Sequence, residues 1–139
     1  MNKYIGLPYK HKGRDFKGVD CYGLFRLIFQ EEKGITLPDY TELKIDYDKN
    51  WYKNKDNNHF LNCQGTVDGT FWDTISTKPY KKFDLLLFYL KSPLIANHCG
   101  LYLQDSKFIH IYEDTTSTIN SLDDLFWSSN LYGVIRYKR

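Results

Sequence analysis

"HCGLYLQDSKFIHIY", residues 98 to 112, holds two alternating runs separated by Gln104, Asp105 and Ser106. Alternation with period two is the signature of a strand with one face turned inward, and a three-residue loop between two such runs is a hairpin. With that loop length Leu103 faces Lys107 and Gly100 faces His110, so His98 falls diagonally across from His110 on the same face. Diagonal neighbours on one face have Cα atoms about 7–8 Å apart, within reach for one imidazole to orient the other. A two-residue loop would put the rings on opposite faces. Gly100 has no side chain on the shared face, which leaves room for another element, and the start of the helix that carries Cys21 is the candidate. Cys99 must point to the other face as a small core residue.

Two more strands flank the hairpin, "DLLLFYL" from Asp84 and "YGVIRY" from Tyr132. Upstream the period changes. In "GVDCYGLFRLIF", residues 18 to 29, Leu24, Phe25, Leu27 and Ile28 follow the spacing of a helix buried on one face. That helix runs from Tyr22 to Lys33, with Asp20 placed to cap its start and Gly34 to end it. A helix followed by an antiparallel sheet is an α+β domain. Cys21 then sits at or beside the helix start, where unpaired N–H groups stabilise a thiolate and lower its pKa. Cysteine is also among the most buried residue types, so core packing and nucleophile both stand as readings at this point.

The 139 residues suit one domain, 1–139, with a polar insertion at about 46–82. Within it "DYDKNWYKNKDNN", Asp46 to Asn58, reads as a surface loop or short helix. A net charge of +2 from 19 basic and 17 acidic residues is too balanced for nucleic acid as the main partner. The opening "MNKYIGLPYKHKG" is too short of apolar residues for an export signal or a membrane span. Cys21, Cys63 and Cys99 are odd in number and scattered, which argues against a disulfide framework and for a reducing place of synthesis.

The order and context of "LPYKHKGRDFKGVDCYGL", "FDLLLFYL", "HCGLYL" and "KFIHIY" resemble the NlpC/P60 family of cysteine peptidases, from about Ile5 to the closing "YGVIRY". The resemblance implies a papain-like NlpC/P60 fold with the nucleophile on an N-terminal helix packed on an antiparallel sheet. It implies hydrolysis of amide bonds in peptidoglycan stem peptides, D-γ-glutamyl-diamino acid bonds foremost, without a cofactor. Carried over residue by residue, it implies Cys21 as nucleophile, His98 as base and His110 as the orienting third member. The backbone N–H of Cys21 and the hydroxyl of Tyr9 become donors to the oxyanion, Tyr9 having a packed aromatic as its other reading. Asp20 becomes a carboxylate near the substrate amino group as well as a cap, and Tyr22 a substrate-facing residue where the family usually has Ser. Lys12 stands in place of the first Gly of a common Gly-Gly pair.

The short chain, its lack of an export signal and its ending look most like phage-tail members of the family. That implies a virion location, action at the host wall and phage tail proteins as partners. Two rivals differ in class: a toxin-like amidase delivered into a competitor, and a structural tail protein with little activity. His59 and Cys63 lie four apart, but two ligands do not make a zinc site, and no metal is expected. Trp51, Trp72 and Trp127 read as core or rim packing. Asp39 to Lys82 matches no motif and is placed as a wall of the cleft. "TTSTINS" reads as a loop or cap before the short helix "LDDLFW".

Overall fold

A computed structural model describes residues 1–38, 72–90 and 98–138. A single turn of 3-10 helix, Asn2–Tyr4, and a two-stranded ribbon, β1 (Arg14–Asp15) and β2 (Gly18–Val19), lead into helix α1 (Cys21–Lys33). A six-stranded sheet follows, built from β3 (Trp72–Ile75), β4 (Leu85–Phe88), β5 (His98–Tyr102), β6 (Lys107–His110), β7 (Thr118–Ser121) and β8 (Leu131–Tyr137). Helix α2 (Leu125–Ser129) joins the last two strands. The strand order is β3-β8-β4-β5-β6-β7, and every pairing in the sheet is antiparallel.

Helix α1 begins and ends where the sequence reading puts it. Asp20, extended at φ −95° and ψ −174°, accepts a hydrogen bond from the Gly23 N–H, and Gly34 closes the helix in the left-handed region at φ 66°. A cap of this kind contributes about 1 kcal/mol. The apolar face carries Leu24, Phe25, Ile28 and Phe29 onto one side of the sheet, against Leu85, Leu87, Cys99, Leu101, Ile109 and Ile135. A second apolar layer covers the other side. It contains Leu86, Phe88, Tyr102, Phe108, Leu122, Val134 and, from α2, Trp127. Strand β4 is central and covered on both sides, which is why "LLLF" is a continuous apolar run and not an alternation.

The hairpin between β5 and β6 has the register expected of a three-residue loop. Leu101 pairs with Ile109 and Tyr102 with Phe108, and Leu103 N–H donates to the Lys107 carbonyl at 2.8 Å. Asp105 and Ser106 take left-handed backbones at the tip, φ 54° and 67°.

Two strands differ from the sequence reading. "TINS" is not loop but edge strand β7, paired to β6, and the helix after it starts at Leu125 with Asp124 as its cap. Trp72–Ile75, inside the stretch assigned to the insertion, is edge strand β3 paired to β8, with Trp72 buried beside Phe25 and Phe29. Each edge strand is four residues long and polar on its open side, so neither leaves a periodic apolar signature. Trp51, Asp46 to Asn58, His59 and Cys63 lie outside the described residues.

Candidate functional site

Cys21 is the first residue of α1, in the turn whose N–H groups lack intrahelical acceptors. The segment before it is folded tightly onto that turn. Both oxygens of Asp20 are engaged: Oδ1 accepts from the Gly23 N–H at 2.7 Å and from Arg14 Nη1 at 2.8 Å, and Oδ2 from the Lys12 N–H at 3.0 Å. Lys12 reaches that bond from a left-handed backbone, φ 62°, a conformation that favours glycine. A side chain at Gly23 would run into the Gly13 carbonyl, so the loop closes on the helix only because position 23 has none. The half-exposed Cys21 thiol lies against the thiol of Cys99 on β5, and both cysteines are free. Burial, reinforced by the neighbouring Cys21, pushes the Cys99 thiol well above its ordinary pKa.

Tyr9 stands beside this group. Its strand-like segment bridges to Val19, and its N–H donates to the Thr115 carbonyl at 3.1 Å. Burial, with Cys21 and then Asp20 adding negative charge nearby, raises its phenol pKa, so the hydroxyl keeps its proton as a donor.

The histidines form a second group on the opposite face of β5. His98 and His110 are 4% and 1% exposed, and His98 Nε2 lies 2.9 Å from His110 Nδ1. His110 Nε2 lies 2.6 Å from Asn120 Oδ1 on β7. Tyr112 stacks on His98 with ring centroids 5.0 Å apart, and Trp127 meets His110 edge-on at 4.7 Å. Burial lowers the His110 pKa, against a smaller upward effect of the Asn120 bond, which favours the neutral ring.

The histidines share one face as the hairpin register requires, but the helix does not come to that face. The space beside Gly100 is filled by Phe108, whose Cδ2 would lie 2.8 Å from a Cβ built there. Helix α1 covers the other face, and its first residue meets Cys99. Cys99 links the two groups along β5, its thiol meeting Cys21 and its peptide leading to His98. Cys99 is a core residue, as expected, and also the partner of Cys21.

The Tyr22 ring is buried, under the Arg14 guanidinium at 5.4 Å, and its hydroxyl donates to the Pro38 carbonyl at 2.8 Å. For Asp20 the cap is the role the geometry shows, since its two oxygens serve the helix, the loop and Arg14. Asn120 escaped the sequence reading because it sat in a segment taken as loop. No periodic signal marks it, since Ile119 is the single apolar residue from Thr118 to Ser121.

Residues 6–136 match the NlpC/P60 family. The chain is 26% identical over 136 residues to a gamma-DL-glutamyl hydrolase of Bacillus subtilis, covering 97% of this chain and 27% of that protein. It is 24% identical over 130 residues to the murein DD-endopeptidase MepS/murein LD-carboxypeptidase of Escherichia coli, covering 91% of this chain and 55% of that protein. The solved NlpC/P60 domain of the peptidoglycan hydrolase SagA superposes with a TM-score of 0.59 at 19% identity, over 97% of this chain and 91% of that one. That likeness extends the agreement to the fold, an N-terminal helix on an antiparallel sheet.

Proposed function

This chain belongs to the NlpC/P60 family, and on that premise we propose that it is a cysteine endopeptidase that hydrolyses amide bonds in peptidoglycan stem peptides. The observation that carries the reading is the placement of Cys21 in the first turn of α1, against the strand whose first residue, His98, begins a buried pair of imidazoles. Cys21 as thiolate attacks the amide carbonyl, and His98 takes the thiol proton and returns it to the leaving amine. His110 orients His98 and stabilises its charged form. Hydrogen bonds between nucleophile and base often close only when substrate is seated. The Cys21 N–H and the protonated Tyr9 hydroxyl donate to the oxyanion, a type of contribution whose loss costs about a hundred- to a thousandfold in rate. Water then releases the acyl-enzyme.

The bond proposed is that between a D-γ-glutamyl residue and the following diamino acid. The name of the Bacillus subtilis relative, a gamma-DL-glutamyl hydrolase, supports it. The Escherichia coli relative, named for DD-endopeptidase and LD-carboxypeptidase activity, points to other bonds as the alternative. Both relatives are longer than this chain, so the assignment concerns the domain. A phage tail as the setting is a finer proposal, supported by the likeness of the "YGVIRY" segment to tail members of the family.

Digestion of purified cell walls of several chemotypes, with mass spectrometry of the released ends, tests the reading. New amino termini from the diamino acid are expected with the wild type and none with Cys21→Ala. Wild-type protein that released nothing from any chemotype would remove the enzyme reading.

A further inference from the structure

Asn120 belongs to none of the motifs that carry the family resemblance, yet it ends the polar chain that starts at His98. An amide oxygen only accepts hydrogen bonds. With Asn120 Oδ1 at 2.6 Å, the proton of a neutral His110 must therefore sit on Nε2. Its lone pair is then on Nδ1, and His98 Nε2, 2.9 Å away, must donate to it. The remaining nitrogen of His98, Nδ1, is left with the ring's lone pair. We propose that Asn120 is a positioning residue that sets the tautomers of both histidines and makes Nδ1 of His98 the nitrogen that receives the proton of Cys21. The assignment of that proton rests on the peptidase reading above; the tautomers themselves do not.

The amide can reverse the whole chain by turning over. Were its NH₂ aimed at His110, the His110 lone pair would lie on Nε2 and its proton on Nδ1. His98 Nε2 would then accept, the His98 proton would move to Nδ1, and no base would remain. A carboxylate at position 120 would fail differently. It would favour a charged His110 that donates from both nitrogens, with the same result for His98. A neutral acceptor is the side chain that fixes the direction without charging the relay.

The surroundings suit a relay that stays neutral and in place. Trp127, Phe108 and Tyr112 pack around His110 with ring centroids 4.7, 4.9 and 5.5 Å away. Among the described residues facing it, His98 and Tyr112 are the titratable ones. Burial of His110 works in the same direction, lowering its pKa. Phe108 pairs with Asn120 and His110 with Thr118, so Asn120 and His110 are diagonal neighbours on one face of the β6–β7 pair.

The test uses the full chain labelled with ¹⁵N-histidine. Two-bond ¹H–¹⁵N correlation spectra near neutral pH are expected to show Nε2–H tautomers for both His98 and His110, and a mixture of tautomers in Asn120→Ala. On wall substrate, Asn120→Ala is expected to lower kcat by roughly ten- to a hundredfold, with KM little changed. Asn120→Asp, nearly the same shape, is expected to move the acid limb of the kcat profile to higher pH. An Nδ1–H tautomer at either ring of the wild type would overturn the proposal. So would Asn120→Ala with unchanged tautomers, or Asn120→Asp with the wild-type acid limb. The spectra need no turnover, so a chain inactive on walls would sink the proposed function while leaving the tautomer result to stand or fall on its own.

Discussion

Cys99 meets Cys21 across the seam between β5 and α1, a fully buried thiol against a half-exposed one. The buried member is held protonated well above the ordinary range of a thiol, whereas the outer one is half-exposed in the first turn of the helix. Iodoacetamide at neutral pH is therefore expected to modify Cys21 first and Cys99 slowly, as followed by peptide mass spectrometry. Equal rates for the two would remove the argument that Cys21 is the nucleophile.

The roles assigned to the polar residues predict unequal losses. Cys21→Ala and His98→Ala are each expected to reduce wall hydrolysis by about four orders of magnitude or more, with circular dichroism unchanged. His110→Ala should retain measurable activity, because an orienting group contributes less than a nucleophile or a base. Complete loss in His110→Ala, with the fold intact, would instead make His110 the base.

The depressed pKa of His110 has a defined effect on stability. In the unfolded chain the imidazole gains its proton near pH 6.5, whereas in the folded protein it resists protonation to lower pH. The unfolded state thus binds more protons between those values. The His110 contribution is fully present above the unfolded pKa and is lost as pH falls through the folded one. Urea denaturation at pH 7.5 and 5.5 is expected to show a decrease that His110→Gln lessens. A His110→Gln variant with the full wild-type decrease would assign the effect elsewhere.

Arg136 anchors β8 to the start of β4. Its Nε and Nη2 donate to Asp84 Oδ1 and Oδ2 at 2.7 and 2.8 Å, and Asp84 is 1% exposed. Removing the guanidinium would leave a buried carboxylate to the Lys81 N–H, which donates to Oδ2 at 2.8 Å. Arg136→Ala is expected to cost about 2–3 kcal/mol in urea denaturation, and Arg136→Lys to recover only part of it because an ammonium cannot make the paired bonds. A loss below about 0.5 kcal/mol would show that water replaces the pair.

What was legible in the chain was local. Asp20, the apolar face of α1 and Gly34 specify that helix within fifteen residues of sequence, and the length of the loop after Leu103 fixes which residues share a face. What period two does not tell is which face a distant helix will cover. The approach of α1 to Gly100 was expected on that gap, although Leu101, Leu103, Ile109 and Ile111 already marked the other face as the more apolar. Asn120 was lost for a related reason. Its strand has only one neighbour and four residues, so its identity depends on pairing with β6 and not on its own composition. Tyr22 follows Cys21 in the chain, but one step along a helix turns a side chain by about 100°, and this one is turned inward.

Strand β7 is the outermost strand on its side of the sheet, and it carries the last member of the polar chain. Edge strands open more readily than central ones, so the hydrogen bonds of Thr118 to Ser121 open before those of β4 and β5. Fraying there would release Asn120 while α1, β4 and β5 remained folded. Heating would then silence the protein in a reversible step below its melting temperature, with the core still protected from solvent exchange.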